Sequence, residues 1–178
     1  MSEKRVVMVV DMQQGVFATP RIQREQCVSR INQLTQAADT VIFIQHTEAG
    51  GLEEGSEGFA LLPELHQPEG AHYVTKTACD AFYRTSLAAL LSELDIHHFV
   101  LCGCATDYCV DTTLKNGVSR GYHITVAGDA HTTAHRPAAR AETLINHYND
   151  VWRDLIAPGN PPGVKLTETI LAHWKANQ

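Results

Sequence analysis

Unbroken apolar runs alternate along this chain with longer stretches whose apolar residues recur every three or four positions. Val6-Val7-Met8-Val9-Val10 is unbroken and stops at Asp11, which predicts a strand over 5–10 buried on both faces. Cys27, Val28, Ile31, Leu34, Ala37 and Ala38 share one helical face, which predicts a helix over about 22–39. Thr40–Gln45 reads as a second strand, followed by His72–Thr75, His98–Leu101, Tyr122–Ala127 and Val164–Leu166. Between and after them, helices are expected from a Thr85 or Ser86 cap through Leu94, from Thr106 or Asp107 to just before Gly121, over 135–155, and from Thr167 onward. Residues 47–70 are rich in Gly, Glu and Pro and read as a long connection with a short helix at Leu61–Leu65. Connections of that length are uncommon unless they are functional.

Buried strands that alternate with amphipathic helices imply a parallel sheet covered on both faces. The expected fold is therefore α/β, a three-layer α/β/α arrangement of about six strands, in one domain over residues 1–178. A hydrophobic content of 44% against 19% charged residues supplies a core and excludes a disordered chain. The formal net charge of -6 argues against nucleic acid as a partner. The opening Met1-Ser2-Glu3-Lys4-Arg5 has no signal-like apolar core behind it, and no segment approaches the ~20 apolar residues of a membrane span. A cytoplasmic protein with no membrane partner is expected. The five cysteines, Cys27, Cys79, Cys102, Cys104 and Cys109, are odd in number and lack paired zinc-like spacing, so neither a disulfide framework nor a zinc site is expected.

In an open parallel sheet, ligands bind at the carboxyl ends of the strands. The polar residues there are Asp11 and Gln13, then His46, then Lys76, then Gly103-Cys104-Ala105-Thr106-Asp107-Tyr108-Cys109, then Asp129 and His131. Cys109 falls two or three residues into a predicted helix, where the helix dipole and free N–H groups favour a thiolate and can bind an oxyanion. Asp11 can accept the thiol proton, and Lys76 can hold the charged pair together. Bland readings stand beside these. Buried cysteines are usually inert packing, and that is the reading for Cys27, Cys79 and Cys102. Asp129 fits a turn or cap as well as a catalytic acid. His131 and His135 have metal-ligand spacing on a helix but also suit an ordinary polar loop. Asp11-Met12-Gln13-Gln14-Gly15 lacks the glycine pattern of a dinucleotide site.

Taken in order, Val9-Val10-Asp11-Met12-Gln13, Lys76 with Asp80-Ala81-Phe82, and Gly103-Cys104-Ala105-Thr106-Asp107-Tyr108-Cys109-Val110 resemble the isochorismatase-like cysteine hydrolases. The resemblance implies a six-stranded parallel sheet in order 3-2-1-4-5-6. It implies Asp11, Lys76 and Cys109 as a catalytic triad, and a cis peptide at Cys104–Ala105. It also implies an oxyanion hole from the N–H groups of Ala105 and Cys109. On that footing the chain is expected to cleave a C–N bond of a small amide, lactam or ureide through a thioester.

The metal-binding nicotinamidases of this superfamily carry an Asp-x-His and a further His after the second strand. Here only His46 is present in Gln45-His46-Thr47-Glu48, so no metal and no cofactor are expected. Gln13, Phe17, His46, Phe82, Tyr83, Tyr108 and Thr112 are the candidate substrate contacts, by their nearness in sequence to the triad. They suggest an apolar, partly aromatic pocket with few charges, suited to a neutral or weakly polar small molecule. The family resemblance favours a homo-oligomer, a dimer or higher. Two other readings stay open: a family hydrolase that cleaves an ether or ester without the thiol, and an inactive flavodoxin-like scaffold domain.

Overall fold

The computed structural model describes residues 3–178. Strands β1 (Val6–Val10), β2 (Thr40–His46), β3 (His72–Lys76), β4 (His98–Cys104), β5 (His123–Thr132) and β6 (Gly163–Lys165) form one sheet. Its order is β3-β2-β1-β4-β5-β6 and every pairing is parallel. The helices are α1 (Arg24–Ala37), α2 (Leu87–Glu93), α3 (Asp111–Ser119), α4 (Ala141–Arg153) and α5 (Thr167–Ala176). No helix among the described residues is long and apolar enough to cross a membrane.

Alternation along the strands builds two cores. Val7 and Val9 face α1 and α5, packing with Ile31, Leu34, Phe43, Cys102 and Ile170. Val6, Met8 and Val10 face α2, α3 and α4, packing with Ile42, Leu87, Leu114, Val126 and Trp152. An unbroken apolar run is what a strand needs when both of its faces are covered. Burial of these side chains contributes about 1.5–3 kcal/mol each.

β1 pairs with β2 on one side and with β4 on the other, so the winding direction reverses between them. The loops leaving β1 and β4 diverge there and open a crevice at the carboxyl edge. Gly103 makes the close approach possible. It has φ +120°, and a Cβ on it would lie 2.2 Å from the Val10 carbonyl oxygen. Only glycine fits that backbone and that gap.

Four expectations change. β4 runs on to Cys104 and β5 to Thr132, beyond the expected ends at Leu101 and Ala127. The β4/β5 ladder pairs Leu101 with Val126 and then Gly103 with His131, so β5 bulges between these rungs. Asp129 sits in that bulge. Its Oδ1 accepts from the N–H and hydroxyl of Thr167 at 2.9 and 2.7 Å, and it pairs with Arg30 of α1 at 3.4 Å. Asp129 thus anchors the start of α5, the cap reading.

The Leu61–Leu65 segment is not helical. Leu61 bridges Gln13, Leu62 N–H donates to Met12 O at 2.9 Å, and Leu61, Leu62 and Leu65 are buried. Their spacing records contact with the core. α4 starts at Ala141, six residues later than expected, because Arg136 and Ala139 close a turn around Pro137 and His135 Nδ1 takes the Ala141 N–H. His131 and His135 therefore do not share a helix. Finally, the chain enters α3 through a single π-helical turn at Thr106–Val110.

Candidate active site

Asp11 directly follows β1, with its N–H on Ile44 O at 2.9 Å and a left-handed φ of 49°. Among side-chain-bearing residues, Asp tolerates that conformation comparatively well. Lys76 ends β3 with a fully buried side chain. His46 ends β2, and Cys109 lies in the π-turn after β4. The peptide bond between Cys104 and Ala105 is cis.

These elements converge on the Lys76 ammonium. Nζ lies 2.9 Å from Asp11 Oδ2, 3.0 Å from His46 Nδ1, 2.9 Å from Ala78 O and 3.3 Å from Cys109 Sγ. An ammonium has three protons, so four acceptors share them. Since Lys76 donates to Nδ1, the His46 ring carries its proton on Nε2, 3.7 Å from Glu48. Burial alone would lower the Lys76 pKa, but the negative charge of Asp11 and that available to Cys109 outweigh it and raise it. The lysine is locked in its charged form.

Burial pushes the Cys109 thiol well above its ordinary range, Asp11 pushes it further, and Lys76 only partly opposes them. This reverses the expectation of a resting thiolate. The π-turn packs the half-buried sulfur beside the Asp11 carboxylate. The same turn sends the N–H groups of Tyr108 and Val110 to one oxygen, Ala105 O, both at 3.1 Å, with Cys109 between them.

The groups open into a cavity of about 570 Å³ lined by Asp11, His46, Ala78, Ala105 and Cys109. Arg21, Glu48, Leu52, Cys79, Tyr108 and Arg136 are also on its walls. Two buried side-chain atoms among the described residues lack a hydrogen-bond partner, Asp11 Oδ1 and Arg21 Nη1. Both belong to residues of this cavity. Native proteins satisfy nearly all such atoms, through protein groups, water or a bound molecule.

A chain of hydrogen bonds behind the cavity fixes the turn. Thr106 Oγ1 meets His131 Nδ1 at 2.7 Å, His131 Nε2 meets Asn149 Oδ1 at 2.8 Å, and Asn149 Nδ2 donates to Gly128 O at 3.0 Å. Burial lowers the His131 pKa to about 4, so the ring is neutral and accepts the Thr106 hydroxyl. Asp107, its side chain nearly buried, holds Arg136 at 2.9 and 3.3 Å, while the Arg136 guanidinium stacks 4.7 Å over the Tyr108 ring.

The isochorismatase domain model matches residues 5–152. This chain belongs to the isochorismatase family. It is 33% identical over 95 residues to the ureidoacrylate amidohydrolase RutB of Yersinia enterocolitica, covering 53% of this chain and 41% of that protein. It is 27% identical over 143 residues to the streptothricin hydrolase of Streptomyces noursei, covering 76% and 52%. The family member described here thus spans about half the length, or less, of these curated relatives. Among solved structures, a cysteine hydrolase from Pseudomonas syringae pv. phaseolicola superposes with a TM-score of 0.86 at 20% identity, covering 98% of this chain and 94% of that one. N-carbamoylsarcosine amidase from Thermoplasma acidophilum gives 0.73 at 21%, covering 93% and 98%. At these identities the likeness is one of fold.

Within this isochorismatase-family site, Asp11, Lys76, Cys109, Ala105, His46 and Tyr108 come together, all but Lys76 on the cavity wall and Lys76 directly behind it. Five other candidates do not line the cavity. Gln13 is fully buried and bonded to the backbone of His46 and Phe59. Phe17 is buried in the core beneath α1. Phe82 is buried on the opposite face, stacked on Tyr122 at 5.5 Å. The loop after Lys76 is held on α3 by Ala81 N–H to Thr113 Oγ1 at 3.1 Å and by Asn116 to Asp80, which carries Phe82 and Tyr83 away. Thr112 faces solvent while the adjacent Thr113 points inward.

Arg21, Glu48, Cys79 and Arg136 line the cavity although the sequence does not mark them for it, and Cys79 is exposed on its wall rather than part of the packing its residue type suggests. The cavity is consequently more charged than the sequence suggested. None of the four left a readable trace in the residue pattern; Arg136 reaches the wall through its pairing with Asp107 of the cysteine motif. No group of three or more His, Cys, Asp or Glu side chains among the described residues is placed to hold a metal ion.

Proposed function

We propose that this chain is a cysteine-dependent hydrolase that cleaves a C–N bond of a small amide, lactam or ureide. One observation carries the reading. A fully buried lysine touches both a carboxylate and a thiol, at 2.9 and 3.3 Å, at the floor of a cavity large enough for a small molecule. The carboxylate keeps one buried oxygen without a partner. Relatives named as an amidohydrolase and as a hydrolase support the same reading.

The chemistry follows from the resting protonation states. Asp11 takes the thiol proton as Cys109 Sγ attacks the carbonyl carbon, forming the C–S bond. Lys76 stays against the one negative charge as it passes from the Asp11 carboxylate to the sulfur, with an N–H toward each. The N–H groups of Ala105 and Cys109 hold the oxyanion of the tetrahedral intermediate. Its collapse breaks the C–N bond, and the leaving nitrogen takes the proton from Asp11. Asp11 then removes a proton from water, whose oxygen attacks the thioester carbonyl. Departure of the Cys109 sulfur releases the acid, and Asp11 returns the proton to the thiol.

The test is turnover of a panel of small amides, lactams and ureides by the unmodified protein and by Cys109→Ala. Loss of all turnover with an unchanged melting temperature is the expected result. Substantial residual turnover in Cys109→Ala would refute the nucleophile assignment.

A further inference from the structure

The second orphaned atom in the cavity concerns the substrate. Arg21 lies in the segment that leads from the β1 loop into α1. Its Nε donates to Val16 O at 3.1 Å, and its Nη1 is buried with no partner. The flanking chain is fixed: Ile22 N–H donates to Thr133 O at 3.1 Å, and Ile22 O accepts the Thr132 hydroxyl. The guanidinium is therefore held in place on the cavity wall, at the end of a sheet-anchored segment.

The other cations at this site are already neutralised. Lys76 is paired with Asp11. Arg136 is bound through two nitrogens by Asp107 and also donates to Thr133. Arg21 forms no ion pair among the described residues, although Arg24 and Arg30 nearby in sequence both do. Glu48, the remaining charged cavity residue, is 63% exposed on the rim beside His46. A positive fork inside and a carboxylate at the rim favour one orientation for an anionic ligand, with its negative end at Arg21. A buried guanidinium N–H without an acceptor is unfavourable, and a carboxylate oxygen is the acceptor that its geometry suits.

We infer that Arg21 binds a carboxylate of the substrate, which makes the substrate class a small amide or ureide bearing an acid group. The hydrolytic part of this statement rests on the proposed function; the carboxylate site rests on Arg21 alone. It replaces the neutral substrate that the aromatic candidates suggested.

Binding to Cys109→Ala protein, where turnover cannot interfere, tests it. The probes are ω-ureido and ω-amido acids with two to five carbons in the acid chain, each compared by calorimetry with its own uncharged carboxamide. At least one acid is expected to bind tenfold or more tightly than its carboxamide. Adding Arg21→Gln should erase that preference, and Arg21→Lys, which keeps the charge but not the fork, should retain only part of it. Near-ultraviolet circular dichroism verifies the fold, and if the Gln variant is unfolded the Lys variant decides, by a preference at least severalfold smaller. Equal binding of every acid and carboxamide, or a preference that survives replacement of Arg21, overturns the inference. Acids bound through Arg21 but not hydrolysed by the unmodified protein would refute the amidase reading alone. Hydrolysis without an Arg21-dependent preference would refute the carboxylate site alone.

Discussion

Gln13 and His46 clasp each other across the gap between the ends of β1 and β2. Gln13 Nε2 donates to His46 O at 2.9 Å, and His46 N–H donates to Gln13 Oε1 at 2.8 Å. The clasp sets the position from which the His46 ring meets Lys76. Gln13→Leu would leave the His46 N–H buried and unpaired. The expected cost is about 2–3 kcal/mol in urea unfolding, with a fall in kcat rather than a selective rise in KM. A pocket residue would show the opposite pattern.

Asp11→Asn removes the proposed base and also a negative charge beside the sulfur. Turnover should be lost while the Cys109 thiol ionises more easily, since Asp11 raises its pKa and Lys76 lowers it. Alkylation of Cys109 by iodoacetamide, followed by mass spectrometry across pH, should have a lower midpoint in Asp11→Asn than in the unmodified protein. An unchanged or higher midpoint would contradict the charge arrangement described for the site.

Lys76→Met leaves the Asp11 carboxylate buried without its cation. A loss of about 3–5 kcal/mol is expected, because the unpaired charge stays behind. The double variant with Asp11→Asn should recover part of that loss, so the two substitutions are non-additive in urea denaturation. Strict additivity would show that the pair is not coupled.

His131 makes stability depend on pH. Its folded pKa is about 4 and its ordinary value about 6.5. Above about 6.5 neither state of the chain binds the proton. As pH falls below that value the unfolded chain takes it first, and the stabilisation is lost until the folded pKa is passed. The window is therefore about pH 6.5 to 4, and the full effect is about 3 kcal/mol. His131→Gln should flatten the dependence of melting temperature on pH in that window by about one proton.

Gly103→Ala should be among the most damaging single-atom additions to the chain. The added Cβ meets the backbone of β1, which cannot rotate away as a side chain would. Loss of several kcal/mol or failure to fold is expected, and a soluble variant should show disturbed Cys109 reactivity because Cys104 and Ala105 follow directly.

The sheet centre was readable because burial on both faces leaves unbroken apolar runs, as in β1 and β2, while the edge strands β3 and β6 are short and partly exposed and were found from their flanking turns. Asp11, Lys76 and Cys109 were readable because strand ends in this architecture share an edge. The pocket walls were not. Phe17, Phe82 and Gln13 lie close to the triad in sequence, but the pleat and the hydrogen bonds of the loop after Lys76 send them into the cores. Arg21 reaches the cavity through a segment held by the sequence-distant Thr133, and Glu48 through a local turn closed on Leu52. The π-turn left no trace in a pattern read at helical spacing. The β5 bulge was equally hidden, since Gly128-Asp129 punctuates a strand just as it would end one.

Lys76 and Cys109 are 33 residues apart, and Asp11 lies on a strand that must first be flanked by both β2 and β4. No fragment that lacks β1, β3 or the turn after β4 contains the proposed chemistry. In a chain that has not yet paired its central strands the thiols are ordinary, and the base and cation come together only when those strands close. Recovery of activity during refolding would therefore report the completion of the sheet centre, and a product truncated before the turn after β4 would carry no stray hydrolytic activity of this kind.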